Sequence, residues 1–173
     1  LSALARFMAV HYPSLDEDLL LTGVLLHDIG KITELNYTRS FSYSTEGGLL
    51  GHMQIGLRII AEKLPAGFPP KLRNLVEHLI LSHHGQLEFG SPKLPVFPEA
   101  LMLHHLDNLD SKMATMAAWL EKDRPAANEW TGYNAALERS FLDKQKYLSD
   151  KPKVEVKAAS PAAAKAVKQA SGF

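Results

Sequence analysis

The chain has 173 residues, 46% hydrophobic and 22% charged, with 19 basic and 19 acidic side chains, eight histidines and no cysteine. The missing cysteine excludes disulfide scaffolds, zinc ribbons and thiol nucleophiles, and a net charge of zero argues against a whole-protein electrostatic grip on nucleic acid. Its longest apolar runs, such as Leu19 to Leu26, are too short to span a bilayer, and no signal-peptide pattern opens the chain, so a soluble cytoplasmic protein is expected.

In chain order, residues 1–11 read as the end of a helix already under way. Ser14 followed by Glu17 predicts a capping box for a helix through Leu19, Leu20, Val24 and Leu25 to about Ile29, closed by Gly30. Residues 33–47 are polar and rich in Ser, Thr and Tyr, which predicts a loop or lid. Apolar spacing predicts a helix over about 49–63, stopped at Leu64-Pro65, and another over about 72–83. Residues 84–98, with two glycines and three prolines, read as an ordered irregular loop. A long helix is expected over about 99–123 and a last one over about 127–148.

No convincing run of alternating strand residues interrupts this pattern. The expected fold is all-α, a bundle of about six helices forming one domain over residues 1–150. Residues 151–173 differ in kind, with five lysines, one glutamate and seven alanines. This tail is net +4 and the body before it net −4. With so little apolar surface to bury, it is expected to be a disordered basic extension.

Six of the eight histidines fall beside a carboxylate, a glycine or one another: His27-Asp28, His52, His83-His84, and His104-His105 with Asp107 and Asp110. Imidazole and carboxylate are the metal ligands left to a chain without cysteine, and together they suit manganese, iron or zinc. Each cluster alone has a plainer reading. A lone helical histidine is commonly a hydrogen-bonded core residue, and the spacing of His104, Asp107 and Asp110 could mark a solvated acidic face. Asp28 weighs against the plain reading, because a carboxylate following a Leu/Val run costs several kcal/mol to bury without a cation or strong donors. His11 and His78 are assigned surface or structural roles. Tyr37, Phe41 and Tyr43, close after the His-Asp pair, are candidates for base stacking.

The motifs HDIGK at 27–31, GGLLGH at 47–52, LILSHHGQLEFGSPK at 79–93 and EALMLHHLDNLDSKM at 99–113 resemble the HD-domain superfamily of metal-dependent phosphohydrolases. Within it they resemble the HD domain of YhaM-like bacterial 3′-5′ exoribonucleases. The resemblance covers most of residues 15–115. It implies a divalent-metal centre of one or two ions, manganese foremost, with iron, magnesium, zinc or nickel as alternatives. His27, Asp28 and Asp107 would hold the first ion, and Asp28, His52 and His83 the second. His84 would be a ligand or a substrate contact, Lys31 would meet a phosphate oxygen, and Asp110 and Lys112 would lie on the substrate side.

The family's first ligand histidine lies further upstream, whereas here His11, sixteen residues before His27, is the sole upstream candidate. The expectation is therefore a fragment without its first ligand, of low activity, whose grip on a single-stranded RNA or DNA 3′ end came through a preceding OB-like domain. The activity implied is release of nucleoside 5′-monophosphates. The alternatives are a phosphohydrolase acting on nucleotides or cyclic nucleotides, and a non-catalytic interaction module. No membrane partner is expected, and the oligomeric state stays open.

Overall fold

Helical spacing of apolar residues lets each segment bury one stripe, and the stripes close on a shared core. The computed structural model describes residues 1–37, 42–123 and 129–149, which are mainly helical. Helix α1 (Ser2–His11) buries Ala5, and α2 (Glu17–Leu26) buries Leu19, Leu20, Gly23 and Val24. A short α3 (Lys31–Glu34) leads into β1 (Leu35–Asn36), which pairs antiparallel with β2 (Ser42–Tyr43). Helix α4 (Thr45–Lys63) follows, then α5 (Pro70–Ser82), which buries Val76, Leu79 and Ile80. A 3-10 turn (Leu87–Phe89) precedes α6 (Pro98–Lys122), which contributes Ala100, Leu103 and Leu106. Leu20, Leu79, Ile80 and Leu103 have no exposed surface, and burying a side chain of that size contributes about 1.5–3 kcal/mol. Among the described residues no helix is long and apolar enough to cross a membrane.

Several boundaries differ from the sequence expectation. The cap of α2 is Asp16, whose Oδ1 accepts the Leu19 N–H at 3.0 Å, while Ser14 lies in the turn before it. The Asp16 N–H in turn donates to the buried Glu99 Oε1 at 2.7 Å, tying the start of α2 to the first turn of α6. Helix α2 ends at Leu26, and His27 to Gly30 form turns. In the polar stretch after it β1 pairs with β2, and α4 begins earlier than the apolar pattern suggested because Ser44 caps it, accepting the Gly47 N–H at 2.8 Å.

The chain divides into two compact units, Leu1–Ala118 and a second beginning at Trp119. In the second unit the helix expected over 127–148 does not form; its helical part is α7 (Lys144–Ser149). Bridges pair Trp130 with Leu142 and Asn134 with Arg139. Polar side chains here offer the backbone alternatives to a helix. Thr131 Oγ1 accepts the Phe141 N–H at 2.9 Å, and Asn134 Oδ1 accepts the Leu137 N–H at 2.9 Å. The tail expected over 151–173 and Phe41 lie outside the described residues.

Candidate metal centre

The apolar stripes do not simply stop; at one end of the bundle each continues in a polar side chain. On α5 the inward positions Val76, Leu79 and Ile80 are followed in phase by His83. Gly23 and Val24 on α2 are followed by His27 and Asp28, and Leu103 on α6 by Asp107. On α4, Ile60 and Gly56 lead back at steps of four to His52. Four elements therefore deliver His27, Asp28, His52, His83 and Asp107 to one place.

All the imidazoles here are oriented in the same way. His27 Nδ1 donates to the Val24 carbonyl at 3.0 Å, His83 Nδ1 to Ile80 at 2.7 Å and His84 Nδ1 to Phe89 at 2.9 Å. His52 Nδ1 donates to Glu34 Oε1 at 3.2 Å. An acceptor at Nδ1 fixes the proton there and leaves Nε2 to face the centre, the arrangement that metal-bound histidines show. Asp28 lies between them. Its Oδ1 is 3.6 Å from His52 Nε2 and 3.8 Å from His83 Nε2, and its Oδ2 is 3.4 Å from His27 Nε2. His27 Nε2 is also 3.6 Å from Asp107 Oδ1.

Asp28 Oδ1 and His52 Nε2 are buried without a hydrogen-bond partner. Two facing acceptors, neither satisfied and both shielded from water, are costly unless a cation lies between them. Their separation suits a shared ion, since Zn–N and Zn–O bonds are each about 2 Å. Nitrogen atoms of His52, His83 and His84 lie within 4.8 Å of one another, adding a third imidazole to this side. The residues present therefore fit a divalent ion that accepts nitrogen and oxygen ligands.

His52 is held by three features that its sequence neighbours supply. A side chain on Gly30 would place its Cβ 1.9 Å from the His52 carbonyl oxygen, so the glycine of HDIGK lets α4 approach the His-Asp turn. Gly51, at φ +71° and ψ 158°, breaks α4 just before His52, a conformation that other residues rarely adopt. The break leaves the His52 N–H without its helical acceptor, and the buried Glu34 Oε1 takes it at 2.9 Å. One carboxylate oxygen thus holds both the backbone and the ring of His52.

Charge divides the centre into two sides. Burial opposes a charge on His27, but hydrogen bonds and attraction from Asp107 and Asp28 outweigh it and hold the imidazole at a pKa of about 10. Burial would raise the Asp28 carboxyl; His27 and Lys31 prevail and hold it far below the usual carboxylate range. Asp107 is lowered by its hydrogen bond to His27. His83, by contrast, is pushed down to about 4, mainly by burial and also by the neighbouring His84 and His27.

Of the residues singled out from sequence, Lys31 reaches Asp28 Oδ2 at 2.7 Å, so its ammonium is engaged with the centre and also lines the adjoining cleft. That cleft, about 330 Å³, is bordered by Lys31, His83, His84, Asp107, Asn108 and Ser111 among others. Asp110 and Lys112 are exposed and lie outside its lining; the phase of α6 turns Asn108 and Ser111 toward it instead. His104 is buried and donates Nδ1–H to the His83 carbonyl at 2.9 Å, steadying the chain at His83. His11, exposed beside Phe7 and Tyr12, and His78, near Phe97, lie apart, as expected. Sequence reasoning missed Glu34, although its place three residues beyond HDIGK in a short polar helix was a signal, and it missed Asn108, Ser111 and Phe89.

An His-Asp pair on a helical bundle, completed by histidines from two further helices and an aspartate from a third, defines a recognisable class. The HD-domain family matches residues 1–112, and the chain belongs to it. It is 50% identical over 142 residues to the 3′-5′ exoribonuclease YhaM of Bacillus subtilis (strain 168), a match covering 80% of this chain and 44% of that protein. The corresponding protein of Bacillus velezensis is 49% identical over 142 residues, and that of Bacillus pumilus 46% over 140, each with the same coverage. The chain thus spans less than half the length of these curated relatives. No solved structure matches it.

Proposed function

We propose that this chain carries the hydrolytic centre of a metal-dependent phosphodiesterase, which removes nucleotides one at a time from the 3′ end of single-stranded RNA or DNA. The observation carrying this reading is the facing pair of buried, unsatisfied atoms, Asp28 Oδ1 and His52 Nε2, behind a cleft whose border includes Lys31, His83, His84 and Asp107. The exoribonuclease relatives supply the substrate class. In this reading His27, Asp28 and Asp107 hold one divalent ion, and Asp28, His52 and His83 hold a second. Manganese is the foremost candidate among ions that accept imidazole with carboxylate. Such ions, when bound, polarise phosphate oxygens and make water a nucleophile near neutral pH.

The remaining work falls to the chain's own side chains. His84 ligates or contacts substrate at the rim, Lys31 offers a fixed positive charge to a phosphate oxygen, and Asn108 and Ser111 offer hydrogen bonds to sugar or phosphate. Asp110 and Lys112, exposed one step round α6, meet the approaching strand outside the cleft. In the reaction, water adds to the phosphorus of the last linkage and the P–O3′ bond breaks. The leaving 3′ oxygen takes up a proton, giving a nucleoside 5′-monophosphate and a strand shortened by one. A cytoplasmic location goes with an RNA substrate. The grip on longer strands belongs, in this proposal, to a nucleic-acid-binding domain outside this chain.

The test is incubation of the manganese-loaded chain with 5′-labelled single-stranded RNA, its DNA equivalent, and nucleotides or cyclic nucleotides. A ladder of products shortened from the 3′ end, absent with Asp28→Asn, is expected. Turnover of mononucleotides or cyclic nucleotides with no ladder would move the protein to small substrates, and equal ladders from Asp28→Asn and wild type would remove the centre from the reaction.

A further inference from the structure

The cleft is not one space. A second cavity of about 270 Å³, bordered by Leu50, His52, Met53 and Pro92, lies on the other side of His84 and Phe89, and both residues also border the first. The two compartments differ in chemistry. The first offers Lys31, Asn108 and Ser111; the second exposes mainly apolar surface, from Leu50, Met53, Phe89 and Pro92, with Glu34, His52 and Gln54 also on its border.

Phe89, on the shared partition, is 58% exposed. An isolated exposed aromatic ring is unremarkable on a loose loop, but this loop is pinned. The Phe89 N–H donates to the Gln86 carbonyl at 3.1 Å and the Gly90 N–H to Leu87 at 2.9 Å. The Ser91 N–H reaches the Gln86 carbonyl at 3.2 Å, and the buried Ser91 hydroxyl lies 2.7 Å from the Lys93 carbonyl and 3.1 Å from that of Leu81. His84 Nδ1 donates to the carbonyl of Phe89 itself, so the ring's backbone is fixed to an imidazole of the centre. A rigidly carried apolar face beside a hydrolytic centre loses little entropy when a flat ligand settles on it.

We propose that Phe89 is the stacking platform for the 3′-terminal base. The base lies against the ring in the compartment with Leu50, Met53 and Pro92, its phosphate faces Asp28, and the strand leaves past Lys31, Asn108 and Ser111. This rests on the exonuclease reading above and adds to it the seat of the terminal nucleotide. Stacking on a phenyl face needs no base-specific hydrogen bond, so the seat takes all four bases. Of the stacking candidates from sequence, Tyr37 follows β1 and Tyr43 lies in β2, and neither borders either compartment; Phe41 lies outside the described residues.

The proposal is tested with the intact chain and short oligonucleotides that end in 2-aminopurine and carry a phosphorothioate at the last linkage. Wild type should quench the 2-aminopurine fluorescence on binding. Phe89→Leu should bind about tenfold more weakly, the equivalent of one lost base stack, and lose the quench, while Phe89→Trp keeps both. With an abasic 3′-terminal nucleotide, wild type and Phe89→Leu should bind alike. If wild type shortens an unmodified strand but Phe89→Leu quenches and binds as wild type does, the stacking role is wrong and the exonuclease reading stands. If wild type neither binds nor shortens any oligonucleotide, both are wrong.

Discussion

The two oxygens of Asp28 look out on opposite electrostatic problems. Around Oδ2 the charges already answer one another: His27 is held as a cation between Asp28 and Asp107, and Lys31 closes the group at 2.7 Å. Around Oδ1 nothing does. Oδ1 and His52 Nε2 have no partner, and His83, buried with its pKa near 4, has an uncharged ring whose Nε2 carries a lone pair. One side is a closed salt cluster, and the other is a set of buried polar atoms that no side chain of the chain satisfies. The Oδ1 side, where His52, His83 and His84 converge, has the structural need for a divalent ion, and an ion on the Oδ2 side, as proposed above, has to displace the proton on His27.

The largest effect comes from removing what the two sides share. Asp28→Asn keeps the shape and deletes the bridging charge, so both ions should be lost and strand hydrolysis should fall by about a thousandfold or more. Metal content by plasma mass spectrometry and product ladders on gels check this together. A variant that retained both ions would break the picture of Asp28 as the bridge.

Next come substitutions that act on one side only. His83→Gln should leave a chain that binds one manganese equivalent through His27, Asp28 and Asp107. Asp107→Asn should leave one bound on the side of His52 and His83. Isothermal titration of the metal-stripped chains reads the stoichiometry. Loss of both equivalents in either variant would show that the sides fill as one unit and not as two.

Residue type marked His27-Asp28, His52, His83-His84 and Asp107 in the chain as separate clusters, and it was the resemblance to the HD-domain family, not spacing, that joined them into one ligand set. In the structure His27 and Asp28, His83 and Asp107 each continue an apolar stripe in phase, which is what brings them to one end of the bundle. Glu34 was hidden because its role depends on Gly51, where a break in α4 at φ +71° frees a backbone N–H that no periodicity announces. Asn108 and Ser111 were hidden by a smaller matter, the rotational phase of α6, which favours them over the charged neighbours Asp110 and Lys112. In the fold, helices with a buried stripe were legible. The segment 129–143 was not, because Thr131 and Asn134 satisfy local backbone N–H groups with their side chains and outcompete the helix, which starts only where Asp143 caps α7.

Glu34 sharpens the comparison further, since it supports the Oδ1 side alone. Glu34→Ala removes the acceptor for both the ring and the backbone of His52. Affinity for the ion on that side should fall about 10–100-fold while the other equivalent binds as before, with Glu34→Gln falling less because its amide oxygen can still accept. The nitrogen shifts of the His52 ring by NMR report the tautomer directly. Equal affinity in Glu34→Ala and wild type, with His52 still protonated at Nδ1, would reduce Glu34 to a packing residue.

The smallest effect concerns a histidine on the same helix as His83 but on its other face. His78 Nε2 accepts the Val96 N–H at 3.3 Å, which requires a neutral ring, and burial together with the charge of Lys93 lowers its pKa from 6.5. A histidine whose pKa is lower in the folded state contributes nothing to the pH dependence above 6.5, where both states are neutral. As pH falls through 6.5 the unfolded chain takes up the proton first, so stability declines until the folded ring also protonates. His78→Gln can accept the same N–H and does not titrate. Its unfolding midpoint in urea should therefore drop less between pH 7.5 and 5 than that of wild type, by a small margin because solvent screens a partly exposed ring. The measurement is made on metal-stripped protein, so that His83 and its neighbours contribute equally to both chains. Identical drops would mean that the Val96 contact does not depend on the charge of His78.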